Sequence, residues 1–344
     1  MSSDPPVPAL ATALPWHREE LESVLAEGQR AHHALLICGS RGEGATQFAL
    51  ALAAALLCED PATDGSACGR CASCRWFAAG NHPDCRWIRP EAEDPLFEPA
   101  RSAKPSREIK IGQVRAISAF ASIGAHRGGE KVIIVETVDA LNSVAANAML
   151  KTLEEPPGRS RFLLVAERPD LLLPTIRSRC RRVVLRPPSD RAALEWLLEH
   201  GDVGREEAGL ALAAAGGEPL LALAIAEPRE AAAHRLVLEA LEALPETSPV
   251  RTAEQLSRLE PGKWLPLTQA WVADLARVSG GAEPRFLPRY VERLTRLAGR
   301  TGLGAILEVE TELRRMRRSI DHPLNPRLFC ESVLLRYCEL FEPN

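Results

Sequence analysis

The stretch His33-Ala34-Leu35-Leu36-Ile37-Cys38-Gly39-Ser40-Arg41-Gly42-Glu43-Gly44-Ala45-Thr46 decides how the first half of this chain folds. Its short apolar run, stopped by Gly39, predicts a buried strand. A glycine-rich turn follows, and then an alanine- and leucine-rich helix from Thr46 to Leu57. Between a strand and a helix, the pattern G-x-x-x-x-G-K-[ST] is a P-loop that cradles phosphates on backbone N–H groups. Gly39, Gly44 and Thr46 fit it and Gly42 adds a further glycine, but Ala45 stands where the lysine belongs. Alanine brings no point charge to the β- and γ-phosphates. Glu43 adds a negative charge that repels a triphosphate. The loop retains N–H groups for an anion, yet ATP hydrolysis is not expected where both charges are wrong.

Further along, strands and helices keep alternating. Lys131 to Glu136 and Arg161 to Ala166 read as buried strands. Between them, Ala145 to Glu155 reads as a helix, ended by Pro156 and Pro157 because proline cannot continue it. Alternation of this kind predicts a parallel sheet covered on both faces. A Walker-B strand ends in an Asp for Mg²⁺, followed in many ATPases by a Glu that polarises water. Glu136 holds the first position and Thr137 the second, so the catalytic base is missing, and Asp139 points elsewhere. After Pro187-Pro188 only helical patterns remain, with breaks at Gly216-Gly217, Pro228, Pro261 and Gly280-Gly281. The expected organisation is an α/β domain over 1–186, a small helical domain over 187–228 and an all-helical domain over 229–344. Residues 91–107 read as an exposed loop.

At 344 residues the chain has room for two or three domains of about 150 residues each. Its net charge of −4 excludes a whole-surface nucleic-acid binder, so any DNA contact must be local. The run Arg314-Arg315-Met316-Arg317-Arg318 can touch phosphate, although a solvated helix face is the plainer account. The longest apolar run, Phe48 to Cys58, has 11 residues, against roughly 18 for a membrane span. No basic residue precedes Arg18 and no apolar signal core is present, so a cytoplasmic chain without membrane contact is expected. Its nine cysteines are then reduced, and clustering among them points to metal or reactivity.

Cys58, Cys68, Cys71 and Cys74 form such a cluster. Two overlapping C-x-x-C spacings and a fourth cysteine at the end of the preceding helix can set four thiolates around a tetrahedral Zn²⁺. Gly65 and Gly69 supply the tight turns. Four thiolates leave no open coordination position, so this zinc would be structural. Cys85 can replace one ligand, and a set of reduced surface thiols is the alternative. Separately, Arg177-Ser178-Arg179-Cys180 follows Pro174-Thr175-Ile176 just before a short strand. An arginine there is suited to project toward a neighbour, where its planar guanidinium can bind γ-phosphate oxygens bidentately. By the bare sequence, solvated or ion-paired arginines are the more usual account of such a loop.

Together these residues resemble the AAA+ clamp-loader family of bacterial DNA polymerase III. The segments that carry the resemblance are His32 to Ile37 before the altered P-loop, and the four-cysteine module with Gly80-Asn81-His82-Pro83-Asp84 after it. The run from Ala145 to Pro157 and Leu173-Pro174-Thr175-Ile176-Arg177-Ser178-Arg179-Cys180 complete the set. The last helical stretch, Asn325 to Phe341, is similar in pattern. The resemblance implies an AAA+ sheet domain with an inserted zinc module, a helical lid and a helical collar. It implies a heteropentamer with clamp-loader ATPase (gamma/tau) and delta subunits that places a sliding clamp on primed DNA. Within that family the Ser-Arg-Cys arginine, here Arg179, acts as a trans-acting finger at a neighbour's ATP, and the zinc ligands map onto Cys58, Cys68, Cys71 and Cys74. The family's ATPase members carry a Gly-x-x-Arg sensor, whereas this chain reads Gly217-Glu218-Pro219-Leu220.

The expected function is therefore a subunit without hydrolytic activity of its own that activates a partner. An active clamp-loader ATPase would need a phosphate-binding lysine at Ala45. A stand-alone zinc-dependent DNA-binding module would need a basic recognition helix, which the cysteine loop lacks.

Overall fold

In the computed structural model, which describes residues 12–28, 31–94, 105–126, 129–318 and 325–342, the chain divides into two compact units, Met1–Pro187 and Pro188–Asn344. The first contains helices α1 (Arg18–Ala26), α2 (Ala45–Leu57), α3 (Ala72–Ala78), α4 (Ile111–Ser122), α5 (Ser143–Glu154) and α6 (Pro174–Arg177). Its strands are β1 (Ala34–Cys38), β2 (Cys85–Ile88), β3 (Lys131–Val135), β4 (Ser160–Ala166) and β5 (Arg181–Val184). All pairings are parallel, in the order β2-β3-β4-β1-β5.

The three central strands are buried at every position, because helices cover both faces and alternation has no exposed side to record. Leu36 and Cys38 face Val114 and Ile117 of α4 and Met149 and Leu153 of α5. Leu35 and Ile37 face Leu21 and Val24 of α1 and Phe48 and Leu52 of α2. Helix α5 begins at Ser143, two residues before the sequence expectation, because the Asn142 side chain accepts the Ala145 N–H at 2.9 Å.

Two features depart from the sequence reading. Strand β2 was not anticipated: it has four residues, only partly buried, with no period-two pattern. Residues 91–107 are not simply an exposed loop where they are described. Glu91 accepts the Ser106 N–H and pairs with Lys110 at 2.9 Å, which ties the two ends together. Positions 95–104 lie outside the described residues. The expected breaks at Pro228 and Pro261 are present, each proline opening a new helix, where a missing N–H costs nothing.

In the second unit, α7 (Asp190–His200), α8 (Arg205–Ala214) and α9 (Pro219–Ala226) enclose one apolar cluster around Leu197, Ala208 and Ala222. Helices α10 (Pro228–Ala243), α11 (Pro249–Leu256), α12 (Pro261–Ser279), α13 (Val291–Ala298), α14 (Leu303–Arg318) and α15 (Pro326–Cys338) enclose a separate, larger one. There the Trp271 indole N–H donates to the Tyr337 hydroxyl at 2.9 Å, both fully buried. The fully buried Asp274 carboxylate accepts the backbone N–H groups of Arg285, Phe286 and Leu287 at 2.7–2.8 Å. Among the described residues, no single helix is long and apolar enough to cross a membrane.

Candidate functional site

The glycine-rich turn sits between β1 and α2, as the spacing requires, but its donors are turned inward. Ala45 N–H donates to the Ser40 carbonyl at 3.1 Å and Gly44 N–H to the Arg41 carbonyl at 3.1 Å. Glu43 N–H donates to Ser40 Oγ at 3.1 Å, while Ser40 N–H donates to the Glu43 carboxylate at 3.4 Å. Four amides that a phosphate-binding loop offers to its ligand are therefore spent within the loop. Glu43 acts by taking one of those amides as well as by repelling a phosphate.

The loop is also packed from outside. The Trp16 indole donates to the Glu43 carbonyl at 3.0 Å. Leu14 lies so close to Gly44 (φ +103°) that a Cβ there would fall 2.2 Å from Leu14 Cδ1. Only glycine fits.

The cation space of the site is filled by the chain itself. Glu136, buried directly after β3, accepts from the Arg41 guanidinium at 2.9 Å and from Thr46 Oγ at 3.1 Å, and Arg89 lies 3.7 Å from its other oxygen. Arg41 also reaches Glu93 and the Thr137 hydroxyl. Thr46, the residue type that holds Mg²⁺ in a working P-loop, thus donates its hydroxyl proton to Glu136. Thr137 is left-handed (φ +57°), which turns the chain away from the strand line. Asp139 is paired with Arg168 at 3.4 Å.

Arg179 occupies the other end of the sheet. It lies two residues before β5, whose Arg181 is in register with Leu35 near the start of β1. The P-loop follows the far end of β1, about 15 Å along a five-residue strand. Arg179 Nη1 donates to the Thr175 carbonyl at 2.9 Å, and the guanidinium pairs with Glu154 at the end of α5. One third of its side chain remains exposed. The structure does not bring Arg179 together with this chain's own glycine-rich loop. Gly217-Glu218-Pro219-Leu220, the counterpart of the Gly-x-x-Arg sensor, runs from the turn after α8 into the first residues of α9 and carries no cation.

The four cysteines do come together. Cys58 caps α2, Cys71 caps the start of α3 and Cys74 lies within α3. All four sulfurs lie within 4.8 Å of one another. Cys58–Cys71 and Cys68–Cys74 are 4.0 Å apart and Cys58–Cys74 3.6 Å. Tetrahedral Zn–S bonds of about 2.3 Å require S···S separations of about 3.8 Å, so the donor set fits Zn²⁺. Each of the two C-x-x-C turns also aims an amide at sulfur, Cys71 N–H to Cys68 at 3.4 Å and Cys74 N–H to Cys71 at 3.3 Å, and the loop before them sends Cys68 N–H to Cys58 at 3.3 Å. The Arg70 and Cys71 amides draw the Cys68 thiol down to about 6, and burial pushes Cys74 up. Cys85 stands in β2, packed in the apolar layer under α2 and outside the cluster, which removes it as an alternative ligand.

A family model described as DNA polymerase III, delta subunit, matches residues 17–189. DNA polymerase III subunit delta' of Pseudomonas aeruginosa is 32% identical, over 97% of this chain and 100% of that protein. This chain belongs to the DNA polymerase III subunit delta' family. The subunit delta' of Escherichia coli is 31% identical over 96% of both chains. Among solved structures, a gamma subunit-related protein of DNA polymerase III from Thermotoga maritima aligns over 95% of this chain and 100% of that one. That alignment has 19% identity and a TM-score of 0.44. The span matched by the delta-subunit family model takes in the altered loop, the cysteine cluster and Arg179.

Sequence reasoning missed several members of these sites in this delta' family chain. Arg89 is brought to Glu136, and Glu93 to Arg41, by the segment after β2, which has no periodic signature, and the pairing of Arg41 in the loop with Glu136 is a tertiary contact. Trp16 acts from 27 residues away along the chain with no motif to announce it, and Glu154 lies in the resembling run Ala145 to Pro157 but 25 residues from Arg179, with nothing in that run to pair the two.

Proposed function

We propose that this chain is the delta' subunit of a cytoplasmic clamp-loader complex in DNA replication, and that it does not bind or hydrolyse ATP itself. It works with gamma/tau ATPase and delta subunits to load the sliding clamp onto primed DNA, and offers Arg179 to a neighbour's nucleotide. The family relationship supports the complex. What carries the non-hydrolysing role is the glycine-rich loop, whose amides are spent internally and whose cation position is held by Arg41 against Glu136. Arg179 supports action in trans because it sits at the sheet end opposite its own loop, with part of its guanidinium exposed. Cys58, Cys68, Cys71 and Cys74 hold a structural Zn²⁺. Residues 187–228 serve as the lid and 229–344 as the collar, a division supported by their separate apolar clusters.

Equilibrium titration of the purified chain with a fluorescent ATP analogue and Mg²⁺ tests the loop. No saturable binding is expected up to about 1 mM, a concentration at which binding is worth only about 4 kcal/mol. Micromolar affinity would overturn the reading that this loop does not bind ATP.

A further inference from the structure

The segment Gly80-Asn81-His82-Pro83-Asp84 has no role in the loop, the arginine or the sulfur cluster, yet His82 and Asp84 are both 97% buried (3% exposed). His82 stands between the cysteine module and the edge of the sheet. Its Nε2 is 3.0 Å from Ser73 Oγ, and Ser73, equally buried, lies in α3 between Cys71 and Cys74. Its Nδ1 accepts the Asp84 N–H at 3.0 Å. A ring that accepts at Nδ1 carries its proton on Nε2 when neutral, so Nε2–H donates to the serine hydroxyl. The Trp76 ring, also from α3, packs edge-on at 6.1 Å between centroids.

The other end of the connection is firm. The Asp84 carbonyl accepts the Val132 N–H of β3 at 2.9 Å. The Asp84 carboxylate accepts the His126 N–H at 2.7 Å and lies 3.5 Å from the Lys131 ammonium, itself buried. By contrast, α3 has seven residues and is too short to hold its shape unaided. Two of the four sulfurs ride on it.

We propose that His82 is a positioning residue for the metal centre. Through Ser73 it fixes α3 against the β2–β3 edge, so that Cys71 and Cys74 stay aimed at Cys58 and Cys68, and metal escapes only when α3 leaves that edge. The inference rests on the reading of the cysteines as a zinc site. Its logic is that of outer contacts that orient ligands without touching the metal, whose loss costs about 10–100-fold in affinity.

The test is the rate of zinc transfer from the full-length, zinc-loaded chain to a chromophoric chelator. Three variants separate the contacts. Ser73→Ala removes the hydroxyl. His82→Asn keeps an acceptor for the Asp84 N–H but cannot reach Ser73. His82→Gln carries an amide N–H at the place of Nε2. Ser73→Ala and His82→Asn are expected to release zinc at least 10-fold faster while still binding one zinc per chain, and to speed amide exchange over residues 72–78. His82→Gln should stay within about threefold of the unsubstituted chain. Release at the original rate from correctly folded Ser73→Ala overturns the inference even if His82→Asn fails to fold. Release from His82→Gln as fast as from His82→Asn overturns it too, since the buried ring rather than its donor would then matter. If the unsubstituted chain takes up no zinc at all, the zinc reading itself fails and the inference falls with it.

Discussion

Asp274 shows how much a single buried carboxylate can organise. Three backbone N–H groups at 2.7–2.8 Å converge on it, and all three would lose a charged acceptor if it were removed. Hydrogen bonds to charged groups are worth about 1.5–3 kcal/mol each, and buried orphan donors add to the cost. Asp274→Ala should therefore destabilise the second unit by about 3 kcal/mol or more. The urea midpoint followed by tryptophan fluorescence reads this directly, since Trp264 and Trp271 lie in that core. A loss under about 1 kcal/mol would show that the loop holds itself. His17 gives a pH-dependent counterpart. It is fully buried beside Phe48, and burial holds its pKa below the ordinary 6.5. The unfolded chain thus binds a proton at higher pH than the folded one. The neutral imidazole's contribution is complete above about pH 6.5 and is lost as the pH falls below it. His17→Leu should flatten the decline in stability between about pH 7 and 5. An unchanged slope would assign that decline to other groups.

At the level of elements, the cysteine module is a local device on a sheet that does not depend on it. The sheet core is formed by β1, β3 and β4 with α2, α4 and α5, all outside residues 58–74. Cys71→Ser should weaken zinc binding by more than about 100-fold, beyond what loss of a supporting contact causes, while the far-UV circular dichroism of the sheet unit is preserved. Collapse of the whole fold would contradict a local role. The elements that were legible in the sequence are those with strong local chemistry. Strands β1, β3 and β4 are continuous apolar runs, α5 ends at a double proline, and the paired C-x-x-C spacings placed the four sulfurs correctly. Strand β2 was not legible, because a four-residue edge strand with half-buried positions has no periodicity to detect. Losing β2 also hid Arg89 and Glu93, so the sequence revealed that the P-loop lacked its lysine without revealing that Arg41 and Glu136 fill the site. The capping of that loop by Leu14 and Trp16 is a tertiary contact with no local signal at all.

For the whole molecule, the altered glycine-rich loop and Arg179 are separated along the sheet. At one end is a loop with four amides spent internally and its arginine paired with Glu93 and Glu136, and at the other an arginine held by Thr175 and Glu154 with part of its surface free. On the proposed function, a chain arranged in this way contributes to ATP turnover only through a neighbour. The most direct measurement is clamp- and DNA-stimulated ATP hydrolysis by the reconstituted complex, comparing the unsubstituted chain with Arg179→Ala after complete assembly has been verified for both. The account predicts a fall of about 10-fold or more, within reach of the 10³–10⁵ that a trans-acting arginine can supply. Equal turnover by the two assembled complexes would contradict it.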